Sequence, residues 1–281
     1  MLLKFVQSVA FLAAFAVAVP APQLAATGTE TETPSRPEAA LRPLWTDGMP
    51  TRPDVGDIMP TGPDNETEST NDLTIMATIR DQYKFWKGNG KNWPKMAAWG
   101  NFDQLWSANL PLMRQSCGWN GWGANNNNNE INYMKTAIKQ VAKESGVESR
   151  FILAIIMQET AGCVRAPTTA NGVRNPGLMQ SHNGSGTCAG KNPCPNKQIL
   201  QMIRDGTSGT KSGDGLKQCL TKVKKVITNA PYRATFAAAR KYNSGSVDYN
   251  NLNNPFTARK CYSCDVANRL TGWTNAKRTC S

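Results

Sequence analysis

Apolar residues recur at helical spacing through most of the chain after residue 72. The clearest stripe has intervals of one to four residues that keep its members on one helix face: Ile131, Met134, Ile138, Val141 and Ala142. Similar spacing predicts five further helices, at about 73–83, 149–161, 199–203, 216–227 and 231–242. No segment alternates between apolar and polar residues as a strand does, and no βαβ order is visible. The pattern therefore predicts a mainly α domain over residues 73–281, with long loops rich in Gly and Asn.

The first 18 residues follow a different pattern. Lys4 is followed by a largely apolar stretch from Phe5 to Ala18, which ends in the small-x-small sequence Ala16-Val17-Ala18. This is typical of a secretory signal peptide with its cleavage site, and the apolar stretch is short for a membrane span. We therefore expect a secreted, extracellular protein without a transmembrane segment in the mature chain.

Residues 19–72 are rich in Pro, Thr, Glu and Asp and show neither helical nor strand periodicity. Such a composition cannot bury enough apolar surface to fold, so it predicts a disordered acidic tail or propeptide. Asn65-Glu66-Thr67 in this tail is an acceptor sequence for N-glycosylation, and Asn183-Gly184-Ser185 in the helical part is a second one.

Charge divides the chain in the same place. Residues 21–72 have a net charge of −7, whereas residues 73–281 have a net charge of +18. A domain this basic is attracted to anionic partners, which include nucleic acid, acidic membranes and anionic cell-wall polymers. A solvated basic surface without a specific partner is the alternative.

All eight cysteines lie after residue 116: Cys117, Cys163, Cys188, Cys194, Cys219, Cys261, Cys264 and Cys280. An even number in a secreted chain predicts up to four disulfides, and the sequence leaves the pairing open. Cys261 and Cys264 have the spacing of a zinc or redox motif, but no second such pair exists and His182 is the only histidine. We therefore expect structural disulfides, no metal site and no cofactor.

Glu159 is the carboxylate whose surroundings are most unusual. Ile152, Ile155 and Ile156 precede it by seven, four and three residues, so all three share its helix face. Desolvation by these side chains and the negative end of the helix both disfavour the ionised carboxylate and raise its pKa. A carboxyl that is protonated near neutral pH suits a general acid. A structural Glu paired with an arginine or with backbone amides is the alternative.

Three short motifs in order accompany this helix: Gln158-Glu159-Thr160, Gly177-Leu178-Met179-Gln180 and Tyr242-Asn243-Ser244-Gly245. Together they resemble the lytic transglycosylase and goose-type lysozyme superfamily, over roughly residues 130 to 250. The resemblance implies a lysozyme-like α fold, in a domain with long disulfide-bridged loops, that cleaves the β-1,4 bond of peptidoglycan. It also implies that Glu159 is the acid/base, and that Gln180 and the backbone of Gly177, Leu178, Met179 and Gln180 line the cleft. It further implies that Tyr242 contacts Glu159 or the sugar at the reacting centre, and that Asn243 helps to hold that wall.

The loops after Glu159 contain no second carboxylate, and the later candidates are Asp205, Asp214 and Asp248. Most glycosidases use two carboxylates, so this sequence favours a mechanism with one glutamate. Whether the product is a 1,6-anhydro sugar or a hydrolysed one stays open. The expected partner is peptidoglycan in an anionic bacterial wall, bound by a monomer, and nucleic acid is not expected. A chitinase or chitosanase of the same fold, or a non-catalytic cationic wall-binding or antimicrobial protein, are the alternatives.

Most of the tryptophans cluster before the motifs, at Trp86, Trp93, Trp99, Trp106, Trp119 and Trp122. Aromatic faces suit sugar rings, but large aromatic side chains also fill cores beneath long loops. We expect most of them to be buried and Trp119 and Trp122, in the Gly/Asn-rich loop, to be exposed.

Overall fold

The computed structural model describes residues 78–170 and 172–280. The predicted signal peptide, the acidic tail and the Asn65 acceptor site lie outside the described residues. Within the described part there are eight α-helices: α1 (Phe102–Met113), α2 (Ser116–Trp119), α3 (Asn128–Ser145), α4 (Ser149–Thr160), α5 (Asn196–Ser208), α6 (Leu216–Lys224), α7 (Pro231–Ser244) and α8 (Tyr262–Leu270). The only strands among these residues, β1 (Thr169–Ala170) and β2 (Arg174–Asn175), form a small antiparallel hairpin. The prediction of a mainly α domain is confirmed.

Helix α4 runs through the centre of the domain. Its residues 151–157 are all buried, and it packs against α1, α3 and α8. Truncation of one of its isoleucines to alanine would cost about 2–5 kcal/mol, as is usual for closely packed cores. Helix α4 ends where Ala161 and Gly162 both adopt left-handed backbone conformations, with φ of 49° and 77°. The central position of α4 fixes the site of Glu159 in its last turn.

Helices α5 to α7 complete the domain around α4. Helix α3 packs against α5, α6 packs against α7, and α7 packs against α8. Helix α3 begins with a reciprocal capping box, in which the Asn127 side chain accepts from the Glu130 amide and the Glu130 carboxylate accepts from the Asn127 amide. Helix α7 begins at Pro231, a favoured first helical residue, and ends at Gly245, whose φ is 72°.

The helix predicted at 73–83 is wrong over its described part, because residues 78–95 contain no helix. The segment instead runs along α8, whose side chains replace the hydrogen bonds that a helix would supply. The Lys84 amide donates to Asn268 Oδ1 at 2.8 Å, and Asn268 Nδ2 donates to the Lys84 carbonyl at 2.9 Å. The Trp86 amide contacts Cys264 Sγ at 3.2 Å.

Three disulfides are present: Cys117–Cys163, Cys188–Cys194 and Cys261–Cys280. The expectation that all eight cysteines could pair is corrected for Cys219 and Cys264, which are buried free thiols. Burial raises the pKa of Cys219 to about 12 and that of Cys264 to about 11. The Cys264 thiol instead contacts the backbone of the segment before α1, at the Trp86 amide and the Lys84 carbonyl.

The loop between α4 and α5 is anchored by a buried ion pair. Arg165 Nη2 lies 2.6 Å from Glu130 Oε1 on α3 and donates to Asn192 Oδ1 at 2.7 Å. The Cys194 amide donates to the same Glu130 oxygen at 2.6 Å. Because removal of one partner leaves the other charge buried, such pairs are costly to break, by about 3–5 kcal/mol. The pair holds the loop that carries the Gly177–Gln180 motif against the helical core.

The expected exposure, with most of the clustered tryptophans buried and Trp119 and Trp122 exposed, is confirmed for Trp93, Trp99, Trp106 and Trp119. Trp93, Trp99 and Trp106 are buried, Trp86 and Trp122 are partly buried, and Trp119 is the most exposed at 44%.

None of the helices within residues 78–170 and 172–280 is both long enough and apolar enough to cross a membrane.

Candidate active site

Glu159 lies in the last turn of α4, one residue before the helix ends. Ile152, Ile155 and Ile156 on the same helix are completely buried, while Glu159 itself keeps partial contact with solvent. The carboxyl group is therefore at the edge of an apolar core, where water reaches it only in part. This arrangement makes ionisation costly and still leaves access for a ligand.

The hydroxyl of Tyr262 donates a hydrogen bond of 2.5 Å to Glu159 Oε1. Burial raises the pKa of Glu159 from its ordinary value of 4.5 to about 7, and the Tyr262 bond and the positive charge of Arg259 oppose this rise. No other described residue hydrogen-bonds the Glu159 carboxyl. One oxygen, Oε1, is therefore held by the protein, and Oε2 has no hydrogen-bond partner among the described residues.

The guanidinium group of Arg240, on α7, packs near the ring of Tyr262. Arg240 is fully buried, and its guanidinium carbon lies 5.9 Å from the centroid of the Tyr262 ring. Its Nη2 donates to Asn243 Oδ1, and Nη1 donates to the Arg259 carbonyl. The Arg259 amide also donates to Asn243 Oδ1, at 3.2 Å. Asn243 thus joins the end of α7 to the segment that leads into α8.

A second polar network secures α8 against α4 directly beside Glu159. Gln158 Nε2 donates to Asp265 Oδ2 at 3.2 Å, and Arg269 Nε donates to Gln158 Oε1 at 2.8 Å. Tyr83 donates to Asp265 Oδ1 at 2.6 Å, and Arg278 Nε donates to the same oxygen at 3.0 Å. Because Tyr262 and Asp265 are three residues apart on α8, this network sets the rotation of the helix that presents Tyr262.

The Gly177–Gln180 motif supports the end of α4 mainly through its backbone. Thr160 Oγ1 donates to the Leu178 carbonyl at 2.9 Å, and the Tyr242 hydroxyl donates to the Met179 carbonyl at 2.7 Å. Gly177 has a φ of 72°, and a side chain there would collide with Met202. Leu178 and Met179 are completely buried, so their side chains fill the core, and the expectation that the backbone of this motif lines the cleft stays a prediction.

A cleft of about 540 Å³ lies beside the motifs, with Gln180, Tyr242 and Asn243 among its lining residues. Gln180 Nε2 donates to the Pro167 and Gly177 carbonyls, which holds the side chain in place. Glu159 is not part of the lining, and Tyr242 connects the two regions. Burial raises the pKa of Tyr242 far above its usual range, and the nearby charge of Glu159 adds to this rise.

The hydroxyl that is hydrogen-bonded to Glu159 belongs to Tyr262 and not to Tyr242. Tyr242 gives its hydroxyl proton to the Met179 carbonyl, and Tyr262 makes the hydrogen bond to Glu159. Sequence reasoning missed Tyr262 because α8 was not predicted. A signal for α8 exists in Tyr262, Val266 and Leu270, which recur every four residues as an amphipathic helix requires.

The three candidate second carboxylates each have other partners. Asp205 is buried and accepts from the amides of Ser185 and Gly186 at 2.7 and 2.8 Å, so it ties the motif loop to α5. Asp214 pairs with Lys222 at 2.5 Å. Asp248 accepts from the Asn250 amide at 2.9 Å within its own turn. None of the three is hydrogen-bonded to Glu159 or Tyr262.

The second predicted glycosylation acceptor, Asn183, is exposed, and its side-chain amide donates to Ser212 Oγ at 3.0 Å. Its modification stays a prediction.

No family model matches the chain, and no curated protein matches it either.

Proposed function

We propose that this protein is a secreted glycosidase of the lysozyme type, which cleaves the β-1,4 bond of peptidoglycan with Glu159 as its single general acid and base. The observation that carries the proposal is the carboxyl of Glu159, partly buried, held at one oxygen by Tyr262 and with a pKa of about 7. The three motifs of the lytic transglycosylase and goose-type lysozyme superfamily support the same assignment, since residues of all three lie around the end of α4 or line the adjoining cleft.

The raised pKa lets one group act twice. At neutral pH a large share of Glu159 is protonated, so Oε2 can give a proton to the glycosidic oxygen as the bond to the anomeric carbon breaks. The resulting carboxylate can then accept a proton from the attacking nucleophile. The Tyr262 hydroxyl donates to Oε1 in both states, and it stabilises the carboxylate more strongly because hydrogen bonds to charged groups are stronger.

A second carboxylate is not needed in this scheme. Asp205, Asp214 and Asp248 are engaged elsewhere, so the cation formed after bond cleavage would be stabilised by the acetamido group of the substrate itself. The carboxylate of Glu159 then deprotonates a water, which gives hydrolysis, or the 6-hydroxyl of the sugar, which gives a 1,6-anhydro product.

Charge and disulfides support the proposed location and substrate. Three disulfides suit an oxidising extracellular compartment. The net charge of +18 over residues 73–281 would attract the domain to bacterial walls, whose teichoic acids and muramyl carboxylates are anionic, more than to neutral chitin.

A turbidity assay tests the proposal with the full chain, on bacterial walls and on suspended chitin and chitosan. The proposal expects clearing of walls by the wild type, and loss of clearing with retained wall binding in Glu159→Gln. Glu144→Gln is the matched control, because Glu144 is an exposed carboxylate of α3 paired with Arg204. Clearing of chitin or chitosan alone would support a chitinase or chitosanase, and wall binding without clearing would support a non-catalytic protein.

A further inference from the structure

Lys241 occupies a distinctive position in the cleft beside the proposed active site. It lies on α7 between the buried Arg240 and the motif residue Tyr242, and it lines the cleft together with Gln180, Tyr242 and Asn243. Its Nζ donates to the Gly245 carbonyl at 2.9 Å, and its side chain is partly exposed. This contact holds the ammonium group at the end of α7 and leaves two of its three N–H donors for a ligand.

The charge of Lys241 is not neutralised by the protein. None of the carboxylates among residues 78–170 and 172–280 forms an ion pair with it, whereas Asp214, the one carboxylate in the cleft wall, is paired with Lys222 at 2.5 Å. His182 also lines the cleft and is exposed. Because Lys222 neutralises Asp214 from outside the lining, Lys241 carries the one positive charge of the described wall that has no ion-pair partner.

A neutral chain of N-acetylglucosamine needs only hydrogen-bond donors and acceptors, and amide side chains such as those of Asn175 and Gln180 are among the cleft lining. A free ammonium in the same wall gains its full interaction only with an anionic group on the saccharide. In a glycan of alternating N-acetylglucosamine and N-acetylmuramic acid, that group is the lactyl carboxylate of each muramic acid that carries no amide-linked stem peptide. The placement of Lys241 thus favours one of the two substrate classes that the sequence alone leaves open.

We propose that Lys241 is a specificity-determining residue that binds a carboxylate of the saccharide in this cleft, so that carboxylated β-1,4 glycans are cleaved in preference to neutral ones. This inference rests on the proposed glycosidase function. It goes further by assigning the preference to one ammonium group in the cleft instead of to the overall charge of the domain.

The test compares kcat/KM of full-length wild type, Lys241→Met and Lys241→Arg. The substrates are soluble oligomers of alternating N-acetylglucosamine and N-acetylmuramic acid, the same oligomers with amidated lactyl groups, and N-acetylglucosamine oligomers of equal length. Lys224→Met is the matched control, because Lys224 is an exposed residue of α6 outside the cleft and the variant loses the same charge from the domain.

We expect Lys241→Met to lower kcat/KM for the carboxylated oligomer about tenfold, the value of one partly exposed hydrogen bond between charged groups. The amidated and neutral oligomers should change less than about twofold, and Lys241→Arg and Lys224→Met should both retain the wild-type preference.

Three results would overturn the inference. If Lys241→Met affected all three oligomers equally, or none, the proposed function would stand and Lys241 would have no role in specificity. If Lys224→Met lowered the preference as much as Lys241→Met, overall charge would explain it. If the wild type cleaved none of the oligomers, the proposed function would fail together with the inference.

Discussion

Replacement of Glu159 by glutamine should change how the stability of this protein depends on pH. In the folded protein the pKa of Glu159 is about 7, against an ordinary value of 4.5 in the unfolded chain. Between these two values the folded state holds a proton that the unfolded state has lost. The contribution of Glu159 to stability is therefore fully present below pH 4.5 and is lost as the pH rises through 7.

The size of this change in stability follows from the difference between the folded and unfolded pKa of Glu159. A difference of this size between the folded and unfolded pKa corresponds to at most about 3 kcal/mol, because each pKa unit is worth about 1.4 kcal/mol. The partial exposure of Glu159 makes this value an upper bound. Glutamine keeps the shape, keeps an oxygen that accepts from Tyr262, and does not ionise. The variant and the wild type should thus be similarly stable at pH 4, and the variant should be more stable at pH 8, by up to about 3 kcal/mol.

The assay is urea denaturation of both proteins at a series of pH values from 4 to 8, because subtraction of the two curves cancels the other titrating groups. Glu144→Gln is the control with opposite sign. The Arg204 guanidinium holds the pKa of Glu144 at about 2, so wild-type Glu144 contributes stability above its unfolded pKa and loses it on acidification. That pair is exposed, so its effect should be small. A difference between wild type and Glu159→Gln that did not change with pH would refute the burial argument for Glu159.

Three other variants or measurements test the site and its surroundings. Tyr262→Phe removes a hydrogen bond that favours the carboxylate of Glu159, so the basic limb of the pH–rate profile should move above its wild-type midpoint near 7 by about one unit; an unmoved limb would contradict the contact. Alkylation at pH 8 should leave the native protein unmodified and should add two groups after denaturation without reductant, at Cys219 and Cys264, as measured by intact mass; no addition would indicate a fourth disulfide. Asp205→Asn should lower the free energy of unfolding by about 1–3 kcal/mol and leave the rate per folded molecule near the wild-type value, whereas the reverse would identify Asp205 as a second catalytic carboxylate.

Much of the helical architecture could be predicted from local periodicity. The stripe that begins at Ile131 becomes α3, and the segments predicted at 149–161 and 231–242 become α4 and α7 within about two residues at each end. Prediction failed where backbone hydrogen bonds come from distant residues. Ile79 and Tyr83 have helical spacing, but their segment is not helical, and side chains of α8 hydrogen-bond part of its backbone. That contact joins residues more than 180 positions apart and leaves no local signal.

The candidate site likewise contains one residue that the local sequence could predict and one that it could not. Glu159 could be predicted because the isoleucines that desolvate it lie on its own helix. Tyr262 is 103 residues away, and its contact with Glu159 depends on the packing of α8 against α4. The spacing of Tyr262 and Leu270 permits a helix, but nothing local shows that this helix faces α4. The unpaired state of Cys219 likewise follows from tertiary packing and not from the even cysteine count.

The role of Glu159 as general acid and base is tested by the cleavage rate of soluble peptidoglycan oligomers by wild type and Glu159→Gln, because glutamine has nearly the same shape and does not titrate. We expect a loss of at least about 10²–10⁴-fold, the usual contribution of general acid–base catalysis, since one group performs both proton transfers. Circular dichroism and retained binding to walls would show that the variant is folded. A folded Glu159→Gln protein that cleaves the oligomers at the wild-type rate would contradict the assignment of Glu159.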